Sequence, residues 1–111
     1  MIGSQKIKEV IKIMDFVDKI KNHSRENVIC TKHTFFRLSE KQREIFTCET
    51  IKHYMFEETP VFVGIQYNGN FAVFYKYPKQ MYLRLIIDIK PDKIDVVTFY
   101  IIEKTQLPVI K

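Results

Sequence analysis

The fold is decided by one stretch, "PVFVGIQYNGNFAVFYKYPKQMYLRLIIDIKPDKIDVVTFYII", which runs from Pro60 to Ile102. Four runs within it are rich in β-branched and aromatic residues, as strands are: "VFVGIQY", "FAVFYKY", "MYLRLIIDI" and "IDVVTFYII". Asn68-Gly69 is a strong hairpin signal, "YPKQ" marks the middle joint, and "KPDK" suits a type I turn. Three short joints in succession predict a four-stranded antiparallel β-meander over residues 61–102.

The chain before this stretch has helical spacing. Apolar residues recur three and four positions apart through Ile7, Val10, Ile11, Met14, Val17 and Ile20. This pattern predicts an amphipathic helix from Ser4 to Lys21, whose apolar side is core or a dimer face. Thr47 is a candidate N-cap for a second helix, from Cys48 to Glu58, which Pro60 would end.

The remaining segment, residues 29–46, also has apolar residues on one side of a helical wheel. Ser39 and Gln42 could form a capping box that divides it into two short helices. The sequence therefore predicts one α+β domain over residues 1–111, with N-terminal helices packed on one face of the four-stranded sheet. Its parts are an N-terminal amphipathic helix (1–22), a helical region (29–58) and the β-meander (61–102).

Composition is that of a folded globular protein with a modest basic excess. Of the 111 residues 46% are apolar and 14% aromatic, the formal net charge is +5, and the sequence pI is about 9.2. This charge suits a polyanionic partner, although a solvated lysine-rich surface explains it as well. No uninterrupted apolar segment suggests a signal peptide or a membrane span, so we expect a cytoplasmic protein without membrane contact.

The two cysteines and three histidines do not have the spacing of a metal site. Cys30 and Cys48 form no CxxC pair, and no histidine cluster accompanies them. A Cys30–Cys48 disulfide is compatible with the sequence, but a count of two does not establish it, and buried free thiols are the default expectation. We therefore expect neither a metal nor another cofactor.

The pair His33 and Arg37 in "KHTFFR" is the first candidate for chemistry. One helical turn separates the two residues, which places their side chains on one face, away from the apolar side of the segment. A histidine titrates near neutrality, and an arginine presents a planar fork that matches phosphate oxygens. RNA cleavage without a metal needs such a base and such a cation. The alternative is an ordinary solvated helix face.

The predicted strands supply further candidates. Arg84 is a lone cation in "MYLRLIIDI", where alternation places it on one face with Tyr82, Ile86 and Asp88. It is either a phosphate ligand or an ion-pair partner, for Asp88 or for a group on a neighbouring strand. Thr98 and Tyr100 share a face of the last strand, where a phenol could donate a proton, stack on a base or belong to the core.

The order of "KHTFFR", "FTCETI", "PVFVGIQYNGNFAVFYKY" and "IDVVTFY" resembles a family of uncharacterised small domains placed beside the RelE/ParE toxins. That family belongs to the wider group of barnase, EndoU, colicin and RelE-type ribonucleases. The resemblance covers about residues 29–102 and implies a RelE-like fold. It also implies functional positions at His33, Arg37, Thr98 and Tyr100. Lys32, next to His33 in the motif, is a candidate nucleic-acid contact.

These observations favour a toxin-like, metal-independent endoribonuclease that cleaves RNA through attack of a 2′-hydroxyl. His33, Arg37 and Tyr100 would be its catalytic residues, and Arg84, Thr98 and Lys32 would bind nucleic acid. The resemblance raises an antitoxin protein as a partner. Two alternatives stay open: a non-catalytic nucleic-acid-binding module, and a protein-interaction domain that forms a homodimer through its N-terminal helix.

Overall fold

A computed structural model describes residues 6–30 and 47–108, in which it places six strands and two helices. In chain order these are β1 (Ile7–Val10), α1 (Ile13–Lys21), β2 (Val28–Cys30), α2 (Cys48–Glu57), β3 (Phe62–Gln66), β4 (Phe71–Tyr77), β5 (Met81–Ile89) and β6 (Ile94–Ile102). Short 3-10 helices lie at Arg25–Asn27 and Lys104–Gln106. The predicted α+β class is confirmed.

The strands form one sheet in the order β1-β3-β4-β5-β6-β2. β3, β4, β5 and β6 pair antiparallel in chain order, as their short joints require. β1 adds to β3 antiparallel, and β2 adds to β6 parallel. The prediction of a four-stranded antiparallel sheet is therefore wrong in extent and in type, because two segments earlier in the chain complete a mixed sheet of six strands.

The predicted N-terminal helix is correct only in its second half. Ile7–Val10 is strand β1, and α1 begins at Ile13. Because β-branched residues tolerate both structures, pairing with β3 decides between them: Ile7 lies opposite Gln66 and Val10 lies opposite Gly64. The register of β1 against β3 shifts between Ile7 and Glu9. Because of this shift, Ile7 and Val10 lie on the same side of the strand although they are three residues apart, a spacing that also fits a helix.

The predicted helical region, residues 29–58, is corrected at its beginning and confirmed at its end. Val28–Cys30 is strand β2, so residues 29 and 30 are not helical. α2 begins after Thr47, whose Oγ1 accepts a hydrogen bond from the backbone N–H of Thr50 at 3.3 Å. Residues 31–46 lie outside the described residues, and with them the Ser39–Gln42 capping box.

The three tight joints form where turn residues predict them. Gly69 has a φ of 91°, and its N–H donates to the carbonyl of Gln66 at 3.0 Å. At the last joint the N–H of Lys90 donates to the carbonyl of Lys93 at 2.8 Å. The middle joint is less usual, because two residues that are not glycine, Lys79 and Gln80, have φ values of 64° and 62°.

The sheet has two faces with separate apolar clusters. On the helix face, Phe16 and Ile20 of α1 and Ile51 and Met55 of α2 pack against the strands. The buried strand residues of this face are Val28, Val63, Phe71, Val73, Tyr75, Leu83, Leu85, Ile87, Ile94, Val96 and Phe99. The opposite face has a smaller cluster of Phe62, Ala72, Phe74, Ile86 and Ile102, against which Ile7 and Leu107 pack.

The cysteines form a disulfide, so the expectation of free thiols is wrong. Cys30 ends β2 and Cys48 begins α2, and their Cα atoms are 5.8 Å apart. This distance lies within the range that a disulfide spans. The bond depends on how β2 and α2 are placed relative to each other, which the spacing of two cysteines in a sequence does not reveal. It joins the two ends of the segment that contains His33 and Arg37.

Candidate functional site

The structure brings together three of the six predicted site residues. Arg84 lies directly opposite Tyr100 across β5 and β6, and Ile86 lies opposite Thr98 in the same ladder. Paired residues of antiparallel strands point to the same side of a sheet, so Arg84, Thr98 and Tyr100 share the face opposite the helices. We call this surface, with Tyr82, the Arg84 face. Lys32, His33 and Arg37 lie outside the described residues.

A bulge in β6 places Thr98 and Tyr100 on this face. Val96 packs in the core of the helix face, so simple alternation would put Thr98 and Tyr100 on that side too. The register instead changes between Ile86 and Ile87, whose partners are Thr98 and Val96, and this leaves Val97 as an extra residue. Such a bulge turns the following side chains to the other side of the sheet.

Arg84 and Tyr100 are in contact on the Arg84 face. The guanidinium carbon of Arg84 lies over the Tyr100 ring, 5.7 Å from its centroid, which is a cation–π distance. Both residues are half-buried. Burial lowers the pKa of the Arg84 guanidinium, and the Tyr100 phenol acts in the opposite direction. Since the pKa of arginine is normally far above neutrality, the group stays charged and can bind an anion.

The apolar residues around the pair hold it in place. Phe74 is buried and lies opposite Arg84 on β4, and Ile86 is buried next to it along β5. The carboxylate of Asp88, which the sequence offered as one ion-pair partner for Arg84, lies 3.9 Å from Nζ of Lys90. Among the described residues, Arg84 thus has buried apolar neighbours on β4 and β5 and shares its face with the phenol of Tyr100 and the hydroxyl of Thr98.

A surface cavity of 530 Å³ lies beside the Arg84 face, at the end of the β4–β5 hairpin. It is lined by Lys76, Tyr77, Gln80, Met81, Tyr82 and Lys104. Lys76 lies opposite Tyr82, which is two residues from Arg84 on β5. The sequence alone does not reveal this cavity, because Lys104 lies far from the other lining residues in the chain and comes close to them only once β6 has paired with β5. The only sign of it in the sequence is the group of lysines and tyrosines close together in "YKYPKQMY".

Comparison of the chain with protein-family models, curated proteins and solved structures finds no match. Function therefore has to be inferred from the residues of this chain. Residues 6–30 and 47–108 contain no group of three or more His, Cys, Asp or Glu side chains that could hold a metal ion. Neither helix in these residues is long and apolar enough to cross a membrane.

Proposed function

We propose that this protein is a toxin-like endoribonuclease with a RelE-like fold, which cleaves RNA without a metal ion. The observation that supports it most is the Arg84–Tyr100 pair, in which a cation and a phenol share one half-buried surface of the sheet. A cation is needed to hold the phosphate as negative charge develops on it, and a phenol can donate a proton or stack on a base.

In the proposed reaction, a base removes the proton of a ribose 2′-hydroxyl, and the oxygen attacks the neighbouring phosphorus. The bond from phosphorus to the 5′-oxygen breaks, and this oxygen receives a proton. The products are a 2′,3′-cyclic phosphate and a free 5′-hydroxyl. Arg84 is the phosphate ligand among the described residues, Tyr100 is the candidate proton donor, and Thr98 offers a hydroxyl that can bind the phosphate or the ribose.

His33 and Arg37 complete the proposal as base and second phosphate ligand, with Lys32 as a further nucleic-acid contact. Cys30 lies opposite Val96, and β2 runs parallel to β6. The end of β2 at Cys30 therefore points in the direction in which β6 continues towards Thr98 and Tyr100. His33 follows Cys30 by three residues in the sequence, and the proposal joins it to the Arg84 face in one site.

A second candidate function is RNA binding without cleavage. Lysines and tyrosines line the cavity next to Arg84, and this combination suits single-stranded nucleic acid, where phosphates bind cations and bases stack on aromatic rings. Gel retardation without cleavage would select this alternative.

A protein partner, whether an antitoxin or a second copy of the chain, is the third candidate. Phe16 and Ile20 of α1 are buried against the sheet, so most of the apolar side of this helix is core. Val10 and Met14 are 55% and 60% exposed and would be the contact residues. A dimer in solution that a Met14→Lys variant abolishes would support this candidate, and a monomer in both would exclude self-association through α1.

The experiment that tests the first proposal compares cleavage of a mixed-sequence RNA in EDTA by the wild type, Arg84→Gln and Arg25→Gln. Arg25 is a matched control, because it has the same charge but forms an ion pair with Glu57 at 3.1 Å, away from the Arg84 face. Arg84→Gln should lower the cleavage rate about 10²–10³-fold, as removal of a transition-state donor does. Equal rates for all three proteins would contradict the proposed role of Arg84.

A further inference from the structure

The charges at the two hairpin ends of the sheet are arranged differently. At the β5–β6 end, the lysines are paired: Lys90 Nζ lies 2.7 Å and Lys93 Nζ lies 3.7 Å from the carboxylate of Asp95. At the β4–β5 end are Lys76, Lys79 and, just beyond β6, Lys104. Among the described residues, none of these three forms an ion pair. The first end is neutralised internally, whereas the second offers cations to a ligand.

Two of these cations line the cavity of 530 Å³ at the β4–β5 end, together with two phenol rings. Lys76, Tyr82 and Ile102 lie opposite one another on β4, β5 and β6, and Lys104 follows two residues after Ile102. Lysine ammonium groups bind phosphate as point charges, and a tyrosine ring offers a surface on which a nucleobase stacks. The cavity therefore has groups for both parts of a nucleotide.

The cavity continues the Arg84 face. Tyr82 precedes Arg84 by two residues on β5, and each strand residue advances the chain by about 3.4 Å, so the two side chains lie about 7 Å apart along the strand. This displacement is of the size of one nucleotide step in an extended single strand. A strand of RNA with one phosphate at Arg84 would thus carry its neighbouring nucleotide to the cavity.

The turn next to the cavity has an uncommon backbone conformation for its residue types. Lys79 and Gln80 both have left-handed φ values, 64° and 62°, although neither is glycine. The N–H of Met81 reaches back to the carbonyl of Pro78 at 3.4 Å, which closes the turn. Positive φ values at both central residues are what a tight hairpin turn requires. This conformation shapes one wall of the cavity, to which Gln80 and Met81 contribute.

From this arrangement we infer that the cavity is a subsite for the nucleotide next to the cleaved phosphate, with its phosphate on Lys76 and Lys104 and its base on Tyr82. The inference rests on the proposed function, since it assumes single-stranded RNA on the Arg84 face. It adds a specific binding site for the flanking nucleotide, outside the residues assigned to catalysis.

The test measures binding separately from cleavage. A fluorescein-labelled eight-nucleotide RNA with 2′-O-methyl groups lacks the attacking hydroxyl, so fluorescence anisotropy reports its affinity at several salt concentrations. The variants are Lys76→Gln/Lys104→Gln and, as a control with the same change in charge, Lys19→Gln/Lys21→Gln in the exposed part of α1. For single strands, the slope of log affinity against log salt becomes shallower by about 0.7 for each phosphate that the protein no longer neutralises.

The inference predicts that the slope becomes shallower by about 0.7, for the one phosphate that Lys76 and Lys104 hold together, in Lys76→Gln/Lys104→Gln and stays at the wild-type value in Lys19→Gln/Lys21→Gln. Tyr82→Leu should weaken binding about fivefold or more, as removal of a stacking partner does, whereas Tyr67→Leu on the β3–β4 turn should not. Equal slopes in the two double variants, or equal affinities in the two tyrosine variants, would overturn the inference.

Cleavage of unmodified RNA by the same proteins distinguishes this inference from the proposed function. Changed binding in Lys76→Gln/Lys104→Gln and in Tyr82→Leu, without cleavage by the wild type, would establish the subsite and reject the ribonuclease. Cleavage by the wild type with unchanged binding in these variants would keep the ribonuclease and reject the subsite.

Discussion

Ile7 of β1 occupies the space that the missing side chain of Gly64 leaves on β3. A β-carbon built on Gly64 would lie 2.6 Å from Cγ2 of Ile7 and 3.3 Å from the carbonyl oxygen of Glu9. A contact of 2.6 Å is too short for carbon atoms, and Cγ2 is fixed to a branched carbon that cannot move away freely. Gly64 is therefore the residue that allows β1 to lie against β3.

We predict that Gly64→Ala lowers the free energy of unfolding by about 1–3 kcal/mol, as overpacking does. Ile7→Ala removes the obstructing atoms, so the same substitution should cost clearly less in an Ile7→Ala background. Urea denaturation of the four proteins in this double-mutant cycle gives the coupling. Equal costs of Gly64→Ala in both backgrounds would mean that the side chain of Ile7 does not occupy the space beside Gly64.

The Cys30–Cys48 disulfide closes a loop with a sequence separation of 18. A cross-link of this length stabilises a folded chain by about 3 kcal/mol, mainly by restricting the unfolded state. The Cys30→Ser/Cys48→Ser variant should therefore unfold at a lower urea concentration than the oxidised wild type. Reductant should shift the wild type towards the variant and leave the variant unchanged.

The disulfide also bears on where the protein acts. Disulfides persist mainly in oxidising compartments, whereas the expectation from the sequence was a cytoplasmic protein. Alkylation of free thiols at the moment of cell lysis, followed by mass spectrometry, measures the oxidised fraction. If Cys30 and Cys48 are fully reduced in cells, the stabilising disulfide forms only after lysis.

The hydroxyl of Tyr75 is buried on the helix face and has no hydrogen-bond partner among the described residues. Burial raises the pKa of this phenol, so it stays protonated. Tyr54 packs edge-on against its ring at a centroid distance of 5.6 Å, which a phenylalanine would preserve. We predict that Tyr75→Phe leaves stability unchanged or raises it by about 1 kcal/mol, because an unsatisfied polar group is removed.

Thermal and urea denaturation of Tyr75→Phe, with Tyr67→Phe as the control, check this prediction. Tyr67 is 64% exposed, so its hydroxyl is hydrated in both the folded and the unfolded states. A decrease in stability of about 1 kcal/mol or more in Tyr75→Phe alone would show that the hydroxyl makes a stabilising hydrogen bond.

The two hairpin turns on either side of β4 should respond to substitution in opposite ways. Lys79 and Gln80 hold left-handed conformations that Asn-Gly adopts more readily, so Lys79→Asn/Gln80→Gly should stabilise the protein by about 1 kcal/mol. Gly69 has a φ of 91° and open space around it, so Gly69→Ala should destabilise it by about 1–2 kcal/mol through backbone strain alone. Unfolding midpoints of both variants measure these shifts.

The parts of the fold that local signals determine were predictable. Asn68-Gly69 marks a hairpin by its own conformational preference, and Thr47 caps α2 with its own hydroxyl, so each appears where the sequence indicates. β1 was missed because the spacing from Ile7 to Val10 fits a helix, and only pairing with β3 selects the strand. β2 has three residues, too few for a period to be recognised.

The candidate site was predictable in its residue types and only partly in its arrangement. The sequence identified Arg84, Thr98 and Tyr100 as residues of interest, and alternation placed the last two on one face. It did not show that all three share a face, because this depends on the bulge at Val97 and on the register between β5 and β6. The cavity with Lys76 and Lys104 depends on the same long-range pairing.

The most direct test of the central claim is the chemical identity of the ends that the protein produces from RNA in EDTA. Mass spectrometry of a short RNA incubated with the wild type, His33→Ala, Arg84→Gln and Arg25→Gln reads these ends. We predict fragments with a 2′,3′-cyclic phosphate and a 5′-hydroxyl from the wild type and Arg25→Gln, intact RNA from His33→Ala, and the same fragments about 10²–10³-fold more slowly from Arg84→Gln. Intact RNA with excess wild-type protein, or the same fragments from Arg84→Gln at the wild-type rate, would contradict the claim.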